Sequence, residues 1–127
     1  MPRSVCSVTD MDRARFFRSF RFAATGIRAA IRREQNIRFH FLAALAVIVA
    51  GLLTGLSYGE WLIIILLIGG MIALELVNTA LERAVDLASP EFHPLAGEAK
   101  DMAAGAVLVF AAASAIIGLL IFLPKWF

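Results

Sequence analysis

The chain has 127 residues, 61% of them hydrophobic, a mean hydropathy of +0.82 and a formal net charge of +2. A soluble globular domain is roughly 45–50% apolar, so this composition excludes one and places the chain in a bilayer. The nine arginines that precede the first long apolar run (Arg3, Arg13, Arg15, Arg18, Arg21, Arg28, Arg32, Arg33 and Arg38) do not indicate nucleic-acid binding, because most share a helical pattern with an apolar face.

The first 35 residues carry charge throughout and contain no h-region ending in a small-residue cleavage site, so the first apolar run is expected to remain in the mature protein. Cys6 stands alone, without a disulfide partner or metal-site spacing, and receives no role. Phe16, Phe20, Ala23, Ala24, Ile27 and Ile31 recur at steps of three and four, with arginines on the other faces. This predicts an amphipathic surface helix over about 10–35, its arginines at anionic headgroups and its phenylalanines in the acyl boundary. Thr9 followed by Asp12 suits its capped start. The alternative is a soluble helix packed on its own protein.

Three spans follow, over about 39–56, 61–87 and 98–123, each near the roughly 17–25 residues that a crossing helix needs. Ser57-Tyr58-Gly59 allows only a tight turn, so the first two spans should form an antiparallel hairpin. Pro90 and Pro94 should stop the second helix near Ala88 and restart a third near Leu95, and Pro124 should end that helix. The segment between the first two spans has no Lys or Arg, whereas nine arginines precede the first span and Arg83 and Lys100 flank the second connection. The positive-inside rule therefore predicts a cytoplasmic N-terminus, an outer hairpin, a cytoplasmic second connection and Lys125 outside.

Polar residues inside so apolar a chain need a reason. Glu75, Asn78, Glu82 and Asp86 are spaced three, four and four apart, which puts them on one helical stripe over roughly 16 Å of axis. A carboxylate near the bilayer centre costs about 2.5–3.5 kcal/mol on insertion scales, so Glu75 should face protein or water. Glu98, Lys100 and Asp101 open the third span, and Glu34 and Asn36 precede the first, all at the same expected depth. Carboxylates with a lysine suit magnesium and nucleotide phosphates.

Ion pairing between Glu82 and Arg83, or between Lys100 and Asp86, is the structural alternative, but the acids on the stripe outnumber nearby cations and a metal would resolve the excess. Gly51 with Gly55, Gly69-Gly70 with Ala73, and Ala103-Ala104-Gly105-Ala106 read as close-packing surfaces. His40 is expected to face the headgroups, while His93 lies in the loop next to Glu82 and Lys100. There is no Gly-x-x-x-x-Gly-Lys-Ser/Thr loop and no His-Arg-Asp or Asp-Phe-Gly triplet. Their absence removes the familiar ATP-binding folds but not phosphoryl transfer, which depends chiefly on positioning and charge neutralisation.

Glu75-Leu-Val-Asn78-Thr79-Ala-Leu-Glu82-Arg-Ala-Val-Asp86, followed by Glu91-Phe-His93 and Ala99-Lys100-Asp101, resembles the signature of prokaryotic diacylglycerol kinases, and the likeness runs from about Ser19 to the C-terminus. Arg33-Glu34-Gln35-Asn36-Ile37-Arg38-Phe39-His40, Asp86-Leu-Ala-Ser-Pro-Glu91-Phe-His93-Pro and Phe122-Leu-Pro-Lys125 look most like the Gram-positive undecaprenol kinase branch. The resemblance implies an all-α homotrimeric membrane enzyme, formed by one membrane-embedded domain over 1–127, that phosphorylates a lipid alcohol with ATP and Mg²⁺. It implies Glu75 as general base, Asn78 as its orienting partner, and Glu34 and Glu82 as metal ligands. Arg15, Phe22, Glu91, Phe92, His93, Lys100 and Asp101 would join Glu34 and Glu82 around the nucleotide, and Arg15, Ser19, Arg28 and Glu75 would meet the lipid substrate. Phe92 stands where the family often has tyrosine, so a polar contact there is lost while ring contact remains.

Undecaprenol is the expected acceptor, with diacylglycerol the alternative. A different class, an ion-conducting or structural subunit, would use the same stripe as a path. Residues 61–74 contain no polar side chain, so the stripe ends in mid-membrane, as a one-sided active site would.

Overall fold

The computed structural model describes residues 8–127, which form four helices: α1 (Val8–Arg33), α2 (Gln35–Thr54), α3 (Tyr58–Ala88) and α4 (Pro94–Trp126). Arg3 and Cys6 lie outside the described residues. The chain divides into two compact units at Arg33–Glu34.

The first unit is α1. It starts at Val8, so Thr9 lies inside the helix and is not its cap. The stretch from Val8 to Asp12 holds no glycine or proline that would impose a later start. Ser19 and Thr25 donate their hydroxyls to the carbonyls of Arg15 and Arg21 one turn earlier, at 3.0 and 2.9 Å, so neither interrupts the helix. Phe16 and Phe20 meet edge to face with ring centroids 4.9 Å apart, while both rings remain mostly exposed.

The second unit is a three-helix bundle. Glu34 is extended and acts as N-cap of α2, which runs until Gly55 takes a left-handed conformation (φ 79°) that a side chain would oppose. The turn then closes at Ser57. Its hydroxyl accepts from the Glu60 amide while the Glu60 carboxylate accepts from the Ser57 amide, a reciprocal cap that launches α3. The second connection closes in the same way: α3 ends at Ala88, Pro94 occupies the first turn of α4, and His93 Nδ1 accepts from the Leu95 amide at 3.1 Å.

Two hairpins therefore bring the start of α2, the end of α3 and the start of α4 to one end of the bundle, the polar end. At the opposite end Trp126 donates to the Thr54 hydroxyl at 2.9 Å and Lys125 pairs with Glu60 at 3.1 Å. These contacts explain why Pro124 does not stop α4. Pro124 removes one helical bond, yet the final turn continues to Trp126, closed by the bond from the Phe127 amide to the Leu123 carbonyl and held by both side chains.

All three helices are longer than their apolar runs. At about 1.5 Å per residue α3 and α4 extend roughly 46 and 50 Å, more than the roughly 30 Å of a bilayer's hydrocarbon, so their surplus length carries the charged residues beyond it. All three are long and apolar enough to cross a membrane, yet only 22% of the most apolar window of α3 and 6% of that of α4 is buried within one chain. Ile37, Ile64, Met71 and Phe122 form the small internal core. Close approach needs glycine at two places: a Cβ at Gly51 would lie 2.8 Å from the Trp61 ring, and one at Gly70 would lie 2.6 Å from the Phe110 ring.

Candidate active site at the polar end of the bundle

Four of the candidate residues lie along α3. Glu75 is buried, with 5% of its surface exposed, so a helix otherwise clothed in leucine and isoleucine puts a carboxylate inside the bundle. Its partner comes from α2: His40 Nε2 lies 3.0 Å from Glu75 Oε1. This corrects the expected headgroup-facing position of His40. Antiparallel pairing about Ser57 turns the imidazole inward, because positions 40 and 75 are almost equidistant from that turn.

One turn along the stripe, Asn78 Nδ2 donates to Glu82 Oε1 at 3.4 Å, a long bond, and Asn78 Oδ1 is buried without a donor. An orphaned amide oxygen beside a carboxylate leaves acceptor capacity for a cation or a donor group. Across the hairpin, Arg83 Nη2 donates to Glu34 Oε1 at 2.9 Å. Arg83 thus pairs with Glu34 rather than with Glu82, since neighbouring positions on a helix point to different faces. Lys100 pairs with Asp86, which ties the start of α4 to the end of α3 and realises one of the ion pairs expected from sequence.

Arg83 and Lys100 meet Glu34 and Asp86, while Glu75 and Glu82, the two acids of the stripe nearer mid-membrane, meet the His40 imidazole and the Asn78 amide. Among the described residues no group of three or more His, Cys, Asp or Glu side chains gathers as a metal cage. Magnesium held mainly by phosphate oxygens needs only one or two carboxylates; here Glu82 and the orphaned Asn78 oxygen lie together, while Glu34 is joined to Arg83.

The remaining candidates are placed as follows. Glu91, Phe92 and His93 form the exposed α3–α4 connection, with Phe92 almost wholly exposed. Ser89 donates to the Glu91 carbonyl at 3.0 Å, and His93 caps α4. Asp101 is exposed in the first turns of α4, on the next residue after Lys100. Arg15, Ser19, Phe22 and Arg28 are exposed along α1, in the other unit.

His40 also lines an apolar cleft of about 410 Å³ between α2, α3 and α4, whose walls include Phe39, Val47, Ile64, Met71 and Phe122. Along α3 this cleft covers positions 64 to 72, so it begins one turn from Glu75 and leads away from the polar end. The arrangement can hold a hydroxyl-bearing apolar chain with its polar terminus at a buried carboxylate.

Apolar helices long enough to cross a bilayer, with carboxylates, amide and cations gathered at one end, define a small helical membrane protein with a one-sided polar site. Residues 21–122 match the prokaryotic diacylglycerol kinase family. An undecaprenol kinase of Bacillus subtilis is 60% identical over 111 residues, covering 87% of this chain and 90% of that one. A diacylglycerol kinase of Synechocystis is 42% identical over 107 residues, 84% of this chain and 61% of its own, and one of Escherichia coli K12 is 30% identical over 95 residues, 75% and 78%. The chain belongs to the prokaryotic diacylglycerol kinase family, and is a membrane lipid kinase.

Proposed function

We propose that the enzyme transfers the γ-phosphate of Mg-ATP to the hydroxyl of undecaprenol, with Glu75 as general base. The observation that carries this reading is a carboxylate buried one turn from an apolar cleft inside the membrane span. A lipid alcohol lying in the leaflet would bring its hydroxyl to Glu75, and the carboxylate would take the proton as the alcohol oxygen attacks the γ-phosphorus. The bond from that phosphorus to the bridging oxygen breaks, and its electron pair leaves with ADP. The acceptor is chosen from the relative named as an undecaprenol kinase, which is more alike than the relatives named for diacylglycerol.

Asn78 would orient the base or the acceptor. Glu34 and Glu82, from opposite sides of the first hairpin, would hold Mg²⁺, an ion that when bound neutralises phosphate charge. Glu91, Phe92, His93, Lys100 and Asp101 would meet the nucleotide at the polar end, with Lys100 exchanging Asp86 for phosphate oxygens. From α1, Arg15 and Phe22 would contact nucleotide, and Arg15, Ser19 and Arg28 the lipid, with the helix lying along the cytoplasmic surface as an amphipathic element. The N-terminus and the site would face the cytoplasm and the C-terminus the outside, following the arginine asymmetry. Three copies would assemble, covering apolar surface that one chain leaves open.

An ion-conducting role would need a continuous polar path, whereas the cleft beyond Glu75 is walled by Met71, Ile68 and Ile64, with the Ser114 hydroxyl an isolated polar group among its lining. Transfer of labelled γ-phosphate by the purified protein, with undecaprenol and diacylglycerol offered in parallel, tests the proposal. Faster transfer to undecaprenol is expected; preference for diacylglycerol would overturn the acceptor, and transfer to neither would overturn the reading as a whole.

A further inference from the structure

We infer that His40 is a positioning residue for phosphoryl transfer, holding the Glu75 carboxylate in the orientation that accepts the lipid proton; this rests on Glu75 being the base. The contact joins two helices across the first hairpin, with Nε2 3.0 Å from Oε1 and side chains 19% and 6% exposed. An ionised carboxylate can only accept hydrogen bonds, so the imidazole must supply the proton between them from Nε2. With Oε1 committed to His40, Oε2 is the oxygen that takes the hydroxyl proton. The imidazole keeps its own proton throughout, and the step needs no further acid or base.

The surroundings make such support necessary. Glu75 has three rotatable side-chain bonds; Met71 and Ile72, one turn earlier, are apolar cleft-lining side chains, and Asn78, one turn later, gives its amide N–H to Glu82 rather than to Glu75. A base must sit within about 0.5 Å and 10–20° of its working geometry, and apolar walls fix a carboxylate's volume but not its rotation. His40 is itself held. The Phe39 ring lies edge-on to it at a centroid distance of 5.6 Å and an interplanar angle of 78°, and the same imidazole forms part of the cleft wall. One side chain therefore touches both the base and the space in which the lipid chain is proposed to lie.

The test compares wild-type protein with His40→Leu, which has no donor, and His40→Gln, whose amide reaches a similar distance and restores an N–H. In His40→Leu, kcat should fall by about tenfold or more, short of the roughly 10²–10⁴-fold that loss of a base costs, while KM for Mg-ATP stays unchanged. His40→Gln should recover most of the rate. A His40→Leu enzyme with wild-type kcat, or a His40→Gln enzyme no better than His40→Leu, would overturn the proposal. Because lipid transfer could fail for reasons belonging to Glu75 itself, the pairing is also read directly. The ¹⁵N signal of His40 Nε2 in the wild-type protein should move on Glu75→Leu. An unmoved signal overturns the proposal whatever the turnover, whereas a moved signal in a Glu75→Leu protein that still transfers phosphate at the wild-type rate overturns the assignment of Glu75 as base.

Discussion

Some charged residues at the polar end hold helices together and are also proposed to hold metal or nucleotide, and the division between these roles decides what a substitution should show. Glu34 is bound to Arg83 at 2.9 Å and so helps close the first hairpin, yet it is also one of the two carboxylates proposed for magnesium. Among the described residues Glu82 is bonded by the Asn78 amide at a long 3.4 Å, so it carries less of the fold. Glu82→Ala should therefore weaken Mg-ATP binding, measured by titration, by about tenfold or more with little loss of thermal stability, in line with what loss of a metal's supporting groups costs. Glu34→Ala should weaken it comparably and also lower the Tm, because Arg83 loses its partner. Normal nucleotide binding in either variant would remove that residue from the metal site. The pairing of His40 with Glu75 follows the same logic in reverse, since an imidazole that looks like a surface group in the sequence is turned inward by the hairpin.

At the scale of the helix, glycine placement sets how closely α3 and α4 can pack. A Cβ at Gly70 would lie 2.6 Å from the Phe110 ring, closer than real Cβ contacts, so the ring must move. Gly70→Ala gains up to about 1 kcal/mol of helix propensity, but overpacking costs about 1–3 kcal/mol. The net expectation is a Tm below wild type, measured by thermal unfolding in detergent, with Phe110→Leu restoring it in the double variant. A Gly70→Ala protein as stable as wild type would mean that the ring yields without cost.

The same helices show what the sequence can and cannot disclose. Breaks marked by local chemistry are legible: the short Ser57-Tyr58-Gly59 segment, and Pro90 with Pro94, place both connections. Helix ends are less so, because hydropathy reports the bilayer's thickness while backbone bonding continues into polar residues, as α2 does back to Gln35 and α4 to Trp126. Pro124 was misread because its tolerance depends on Thr54 and Glu60, residues distant in sequence. The stripe from Glu75 to Asp86 was visible as spacing along one helix. The partners of its acids belong to other helices, and only near-symmetry about Ser57 could have pointed to His40 and Arg83.

Within the three-helix unit most charged groups lie at one end, with the Glu60–Lys125 pair at the other, and the cleft between the helices is lined beyond His40 by apolar side chains apart from Ser114. A kinase that must join a water-soluble nucleotide to a lipid alcohol needs this asymmetry, with charge where phosphate enters and hydrocarbon where the acceptor lies. So little of each apolar helix is buried within one chain that lipid or further copies must cover the rest, which is the physical ground for the proposed trimer. The central claim is that Glu75 is the base at the junction of the two environments. The most direct measurement sets phosphate transfer to undecaprenol beside Mg-ATP binding for wild type and Glu75→Gln. Turnover should fall by about 10²–10⁴-fold with nucleotide binding retained. Turnover equal to wild type in the variant would contradict that claim.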